Sequence, residues 1–278
     1  MKRSLFIFVA VLMALPQFAS AQSSELKVMS YNIRLGSGED GTNSWVYRCP
    51  ATLEMLEDQQ PDVFGVQEAL DYQIQFLEEF TKDYESVGVG RDNGKKKGEY
   101  MSIFWNKKTV KMLKWGTFWL SDTPDKPSMG WDAACFRTAT WALMKDKKTG
   151  KKFYFVNTHL DHVGVEARRN GLKLIVDRIV EINPDGIPMV LTGDFNMKPS
   201  APELKDLDTR MKSARKVALK TDSHNTYNAW GKASPDDIID YIYISGFSSC
   251  PEYQTVTKKY AQRTYVSDHY PIVARLIF

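Results

Sequence analysis

A chain of 278 residues with 43% hydrophobic and 12% aromatic content can bury a full core, and 17 Gly and 12 Pro do not make a low-complexity polymer. Lys plus Arg number 37 against 34 Asp plus Glu, a net charge of +3, which excludes a strongly basic coat for nucleic acid. Cys49, Cys135 and Cys250 are odd in number and widely spaced, so they allow at most one internal disulfide and no Cys-rich zinc or redox motif.

The first element is a leader. Lys2 and Arg3 precede an apolar run from Leu5 to Leu15 and then Ala19, Ser20 and Ala21, the three-part pattern of a secretory signal peptide. Cleavage before Gln22 leaves residues 22–278 as one nearly neutral domain, secreted or periplasmic. No stretch approaches the roughly 20 apolar residues of a transmembrane anchor. The order that follows is a strand over Leu26–Ile33, a Gly-rich segment, an amphipathic helix over Tyr47–Gln59, a short strand over Asp62–Val66 and a second helix over Asp71–Lys82. Ser86–Val89, Tyr100–Trp105 and Val110–Leu120 read as antiparallel strands around a basic tip at Lys95, Lys96 and Lys97. Beyond a Pro-containing loop come strands over Thr138–Met144 and Phe153–Thr158, a helix over Glu166–Ile182 and a buried strand over Ile187–Leu191. A looser region spans 200–220, and strands over Ile238–Ile244 and Pro271–Ile277 complete a layered α/β chain.

Polar residues collect where these apolar runs end: Asn32, Glu68, His159 with Asp161, Asp194 with Asn196, Asp240, and Asp268 with His269. A strand end holds a side chain on a rigid scaffold and leaves its tip in a cleft. Carboxylate and amide oxygens suit Mg2+, with Mn2+ or Ca2+ as substitutes, whereas catalytic zinc calls for more imidazole or thiolate. A cation that polarises a phosphoryl group, beside a carboxylate or imidazole that activates water, points to phosphoester hydrolysis.

The ordered motifs YNIR (31–34), VQE (66–68), NTHLDH (157–162), TGDFN (192–196), IDYIYIS (239–245) and SDHYP (267–271) resemble those of the endonuclease/exonuclease/phosphatase superfamily, over almost all of the mature chain. The resemblance implies a four-layer α/β sandwich, two packed, mainly antiparallel β-sheets flanked by helices. It implies Glu68, Asn32 and Asp268 as metal residues, Asp194 as the group that orients or activates water, and Asn196 as an amide holding water or a phosphate oxygen. His269 resembles the imidazole beside the scissile phosphate, with Asp240 fixing its tautomer, and His159 a second phosphate-contacting His with Glu99 as its orienting carboxylate. Asp161 either joins the metal or His network or caps its loop, and Arg137 is either a phosphate clamp or one half of a strand-face ion pair. Trp115, Trp119, Trp131 and Trp141 either stack on a base or lipid group or, as is commoner for aromatic residues on strands, belong to the core. The implied activity is first that of a secreted phosphodiesterase or nuclease, with nucleic acid among its phosphate-ester substrates. The alternatives are a phosphomonoesterase on sugar or inositol phosphates and a silent module that binds a phosphorylated ligand.

Overall fold

The computed structural model describes residues 25–278, so the leader expected over 1–21 lies outside the described residues. The chain runs β1 (Glu25–Asn32), α1 (Trp45–Gln59), β2 (Val63–Gln67), α2 (Asp71–Phe80), β3 (Tyr84–Val87), β4 (Ile103–Asn106), β5 (Val110–Trp119), β6 (Thr138–Asp146) and β7 (Lys152–His159). It continues α3 (Val165–Ile182), β8 (Met189–Asp194), α4 (Leu204–Arg210), β9 (Lys212–Ser213), α5 (Ala214–Val217), β10 (Asp240–Ser245), β11 (Ser249–Thr255) and β12 (Ile272–Ile277).

Two six-stranded sheets form, in the orders β11-β12-β1-β2-β4-β3 and β5-β6-β7-β8-β10-β9. Period-2 alternation sorts the core. On β1, Val28 faces the other sheet and joins Val63, Ile103, Phe155, Val190 and Ile242, while Met29 and Tyr31 turn outward to Met55 and Leu77 of α1 and α2. On the far side Val156, Leu191 and Tyr243 pack against Ile175 of α3 and Leu207 of α4. The layers are therefore helix, sheet, sheet, helix, as expected. α1 buries Arg48, Ala51, Thr52, Met55, Leu56 and Gln59, the i, i+3, i+4 stripe of one helical face.

Each sheet contains one parallel pair, β1 with β2 and β7 with β8, produced by the crossovers through α1 and α3; the other ladders are antiparallel. Asn32 stands opposite Gln67 and His159 opposite Asp194 at the ends of those pairs. Four strands thus finish at one edge of the sandwich. Asn157 binds the sheets together there: its Nδ2 donates to Val66 O at 2.8 Å and Ser102 O at 3.1 Å, and its Oδ1 accepts from Gln67 Nε2 at 2.7 Å.

The region expected to be loose, 200–220, holds α4, β9 and α5, and β11 was not anticipated. Its sequence, SCPEYQT, breaks the apolar pattern because it is an edge strand with a register shift between Ser249 and Glu252. Cys49, Cys135 and Cys250 are all free thiols. No helix among the described residues is long and apolar enough to cross a membrane.

Candidate active site

The strand ends and the loops after them enclose a cleft of about 420 Å³, whose lining includes Glu68, His159, Asp194, Asn196, Asp268 and His269 together with Arg34, Arg91, Arg137 and His162. Glu68 and Asn196 both have positive φ, 66° and 51°, so the chain bends sharply after β2 and β8 and delivers these side chains inward.

Asp194 is central and fully sequestered. Its Oδ1 accepts the Asn196 backbone N–H at 2.9 Å, and its Oδ2 accepts Asn32 Nδ2 at 3.0 Å, with His269 Nε2 3.7 Å away. Burial, and then the charge of Asp240, raise its carboxyl above the usual carboxylate range. On the other side of His269, Nδ1–H donates to Asp240 Oδ2 at 2.8 Å. Burial would lower the His269 imidazole, but Asp240 and Asp194 outweigh it and raise its pKa, so the ring carries its proton. Tyr227 packs its ring 4.9 Å from that of His269. The pairing of His269 with Asp240 is the one expected from the sequence.

Glu68, His159 and Asp194 each offer a ligand atom within 4.8 Å of the others. Glu68 Oε2 accepts Leu35 N–H at 2.8 Å and its Oε1 accepts Asn32 Nδ2 at 3.0 Å. Asp268 stands nearby with its pKa raised, chiefly by burial and also by Glu68, and Arg34 Nε lies 3.7 Å from it. Several carboxylates desolvated side by side and repelling one another make a donor set that fits a hard divalent cation. Asn32, expected among the metal residues, presents its amide N–H groups to Glu68 and Asp194 and its oxygen to the Arg34 N–H at 3.0 Å. In this geometry it aligns the two carboxylates.

His159 differs from expectation. Glu99 does not orient it, because both Glu99 oxygens are taken by Arg91, Nη1 at 2.6 Å and Nη2 at 2.7 Å. His159 Nε2 accepts from Asn196 Nδ2 at 3.0 Å and its buried Nδ1 has no partner. Burial, followed by the charges of Arg137 and Arg91, depresses its pKa well below the ordinary value, so the ring is neutral and its 3.4 Å approach to Asp194 is not an ion pair. Asn196 Nδ2 is shared between His159 and Leu160 O at 3.0 Å, which makes it a brace between β7 and β8.

Asp161 caps its loop and also stands with Cys135 and His162, with ligand atoms within 4.8 Å of one another. It accepts backbone N–H groups from Val163 at 2.9 Å, Gly164 at 2.8 Å and Ala134 at 3.1 Å, and Arg137 Nε at 3.2 Å. Burial would raise its carboxyl, but those amides and Arg137 hold it well below the carboxylate range. Arg137 is thereby fixed against the cleft, with Nη2 2.9 Å from His162 Nδ1. Trp119 is buried and donates its Nε1–H to Arg91 O at 2.6 Å, so its role is to support the cleft wall. Lys95, Lys96 and Lys97 do not line the cleft. Arg91, His162 and Tyr227 were missed in the sequence; no motif surrounds Arg91 or Tyr227, and Arg34 stood inside YNIR without being singled out.

The Endonuclease/Exonuclease/phosphatase family model matches residues 29–269. A crystal structure of an endonuclease/exonuclease/phosphatase from Bacteroides vulgatus is 37% identical, covering 91% of this chain and 98% of its own, with a TM-score of 0.86. A mannosyl-6-phosphatase of Bacteroides thetaiotaomicron is 32% identical over 91% of this chain and 100% of its own, with a TM-score of 0.87. TDP2 of D. rerio, solved with a single-strand DNA product, is 18% identical over 91% and 99% with a TM-score of 0.71, a likeness of fold.

Proposed function

From the premise that this chain belongs to the endonuclease/exonuclease/phosphatase family and is a phosphoester hydrolase, we propose that it is a Mg2+-dependent phosphomonoesterase acting on a sugar phosphate. The observation that carries this reading is the cleft wall of Arg91 and Arg137, each backed by its own carboxylate, Glu99 and Asp161. Guanidinium groups fixed in this way suit a terminal phosphate, which bears more charge than a diester. A cleft of about 420 Å³ is on the scale of small-ligand sites. The mannosyl-6-phosphatase, similar over its whole length, supports the same class. In the same reading the leader pattern of residues 1–21 supports export from the cytoplasm.

Glu68 and Asp268 would hold the cation, which supplies charge neutralisation at the phosphoryl and leaving oxygens. Asn32 keeps Glu68 and Asp194 in register through its two N–H contacts. Asp194 accepts the proton of the attacking water at Oδ2, the oxygen that faces His269. His269 keeps its proton on the side away from Asp240 and donates it toward the phosphoryl group, where negative charge develops. Arg137 and Arg91 draw the substrate phosphate into the cleft, and neutral His159 keeps a second positive charge away from Asp194.

The test is turnover of the purified protein with Mg2+ on mannose 6-phosphate, glucose 6-phosphate and inositol phosphates, against bis(p-nitrophenyl) phosphate, single-stranded DNA and RNA, with EDTA and His269→Ala controls. Release of inorganic phosphate from a sugar phosphate, lost with EDTA and reduced by roughly 100-fold or more in His269→Ala, is the expected result. Diester cleavage with no phosphate release would return the reading to the phosphodiesterase expected first. Tight binding without turnover would favour the silent module.

A further inference from the structure

Arg48 lies in α1 with 0% exposure, and no carboxylate among the described residues forms an ion pair with it. Its guanidinium is spent on backbone carbonyls: Nε donates to Asn43 O at 2.5 Å, and Nη1 to Ile33 O at 2.9 Å and Val266 O at 2.7 Å. The rings of Trp45 and Trp230 each lie 5.5 Å from its central carbon. Burial lowers its pKa. A buried cation without a carboxylate is costly to desolvate, and an apolar side chain of similar shape would fill the space more cheaply.

What Arg48 joins accounts for that cost. The β1–β12 ladder ends at Ser30 opposite Ile272, so Asn32 on one side and Asp268 and His269 on the other lie beyond the last backbone pair. Ile33 follows Asn32 directly, and Val266 is two residues before Asp268. Tyr31 Oη–H also donates to Val266 O, at 3.1 Å. Trp230 belongs to the loop whose Asn228 and Ala229 N–H groups donate to Asp268 O at 2.7 and 3.0 Å. That loop bends through two successive left-handed residues, Ala229 (φ 47°) and Trp230 (φ 57°). Three segments that deliver site residues therefore meet on one guanidinium.

We propose that Arg48 is a positioning residue of the site, a clamp that takes over where the β1–β12 ladder stops and sets the spacing between Asn32 and the Asp268–His269 pair. The proposal rests on the phosphoesterase reading for its catalytic consequence, so its test includes binding without substrate. Arg48→Met and Arg48→Lys are prepared in the full chain, and kcat, KM, thermal midpoint and calorimetric Mn2+ affinity are measured for each. Arg48→Met keeps the volume and removes every donor; the expected result is cooperative unfolding, a kcat per folded molecule reduced at least tenfold, KM within threefold, and Mn2+ bound at least fivefold more weakly. Arg48→Lys, which retains the charge, recovers part of both losses. A purely structural role lowers the thermal midpoint and leaves kcat per folded molecule and Mn2+ affinity unchanged, and that outcome overturns the proposal. Where Arg48→Met does not fold, the same comparison on Arg48→Lys decides. Should the wild-type protein turn over no phosphoester, the functional reading fails by itself, and equal Mn2+ affinity in wild type and variant then overturns the clamp.

Discussion

Asp240 is two residues from no other acidic member of the site, yet its charge reaches both partners of the reaction. It raises His269 through the 2.8 Å hydrogen bond to Nδ1 and raises Asp194 across the intervening space. In the proposed mechanism Asp194 must be ionised and His269 protonated, so the acid limb of the rate profile follows Asp194 and the alkaline limb follows His269. Both limbs lie above the ordinary values for their side chains, because both pKa values are raised. Asp240→Asn keeps an oxygen for Nδ1–H and removes the charge. Both raised values then fall, and both limbs should move to lower pH, with kcat reduced roughly 10- to 100-fold. A pH–rate series on wild type and variant checks this, and an alkaline limb that stays in place would mean that His269 is not its source. At this scale the sequence was informative where two motifs each set one partner at a strand end, as with Asp240 in IDYIYIS and His269 in SDHYP. It was silent about who pairs with whom across loops: Glu99 and Arg91 lie eight residues apart on either side of the basic tip, and only their folding onto one wall brings them together and leaves His159 Nδ1 without its expected carboxylate.

The elements do their work by ending together, and Gly65 shows how little slack the two sheets leave. A Cβ at this position in β2 would stand 2.4 Å from Asn157 Oδ1 and 2.7 Å from Thr192 Oγ1. Asn157 cannot swing aside without losing the bonds it makes to Val66 O, Ser102 O and Gln67. Gly65→Ala should therefore cost about 1–3 kcal/mol from overpacking, and lower the thermal midpoint by roughly 2–4 °C for each kcal/mol in a domain of this size. Glu68 stands three residues on, so activity should fall with it. A midpoint within 1 °C of wild type, read by calorimetry, would show that the sheets separate more easily than the Asn157 network implies. The strands that bury both faces were legible in sequence because their apolar runs are unbroken, β2, β7 and β8 above all. The edge strands were not: β9 has two residues, and β11 carries Pro251 and Glu252 beside solvent, so neither has a periodic signal to read.

Across the whole molecule, the site is a meeting of both chain ends, with β1 and β12 paired in one sheet and β8 and β10 in the other, and its carboxylates are desolvated at the edge where the sheets converge. Under the proposed function that arrangement would couple cation binding to folding, since only the folded chain gathers Glu68, Asp194 and Asp268. A cation at 100 times its dissociation constant stabilises the folded state by about 2.7 kcal/mol, which for a domain of this size is a rise of roughly 5–10 °C in thermal midpoint. Saturating Mg2+ or Mn2+ should produce that rise and EDTA should reverse it, with the far-ultraviolet circular dichroism of the folded state unchanged. Protons compete for the same oxygens, and Asp194 and Asp268 both have raised pKa values, so the gain should shrink as pH falls, beginning above the ordinary carboxylate range. A Glu68→Gln, Asp268→Asn double variant should show no metal-dependent shift at any pH. If it shifts as wild type does, the cation is held elsewhere, and the carboxylates at the strand ends serve the chemistry without it.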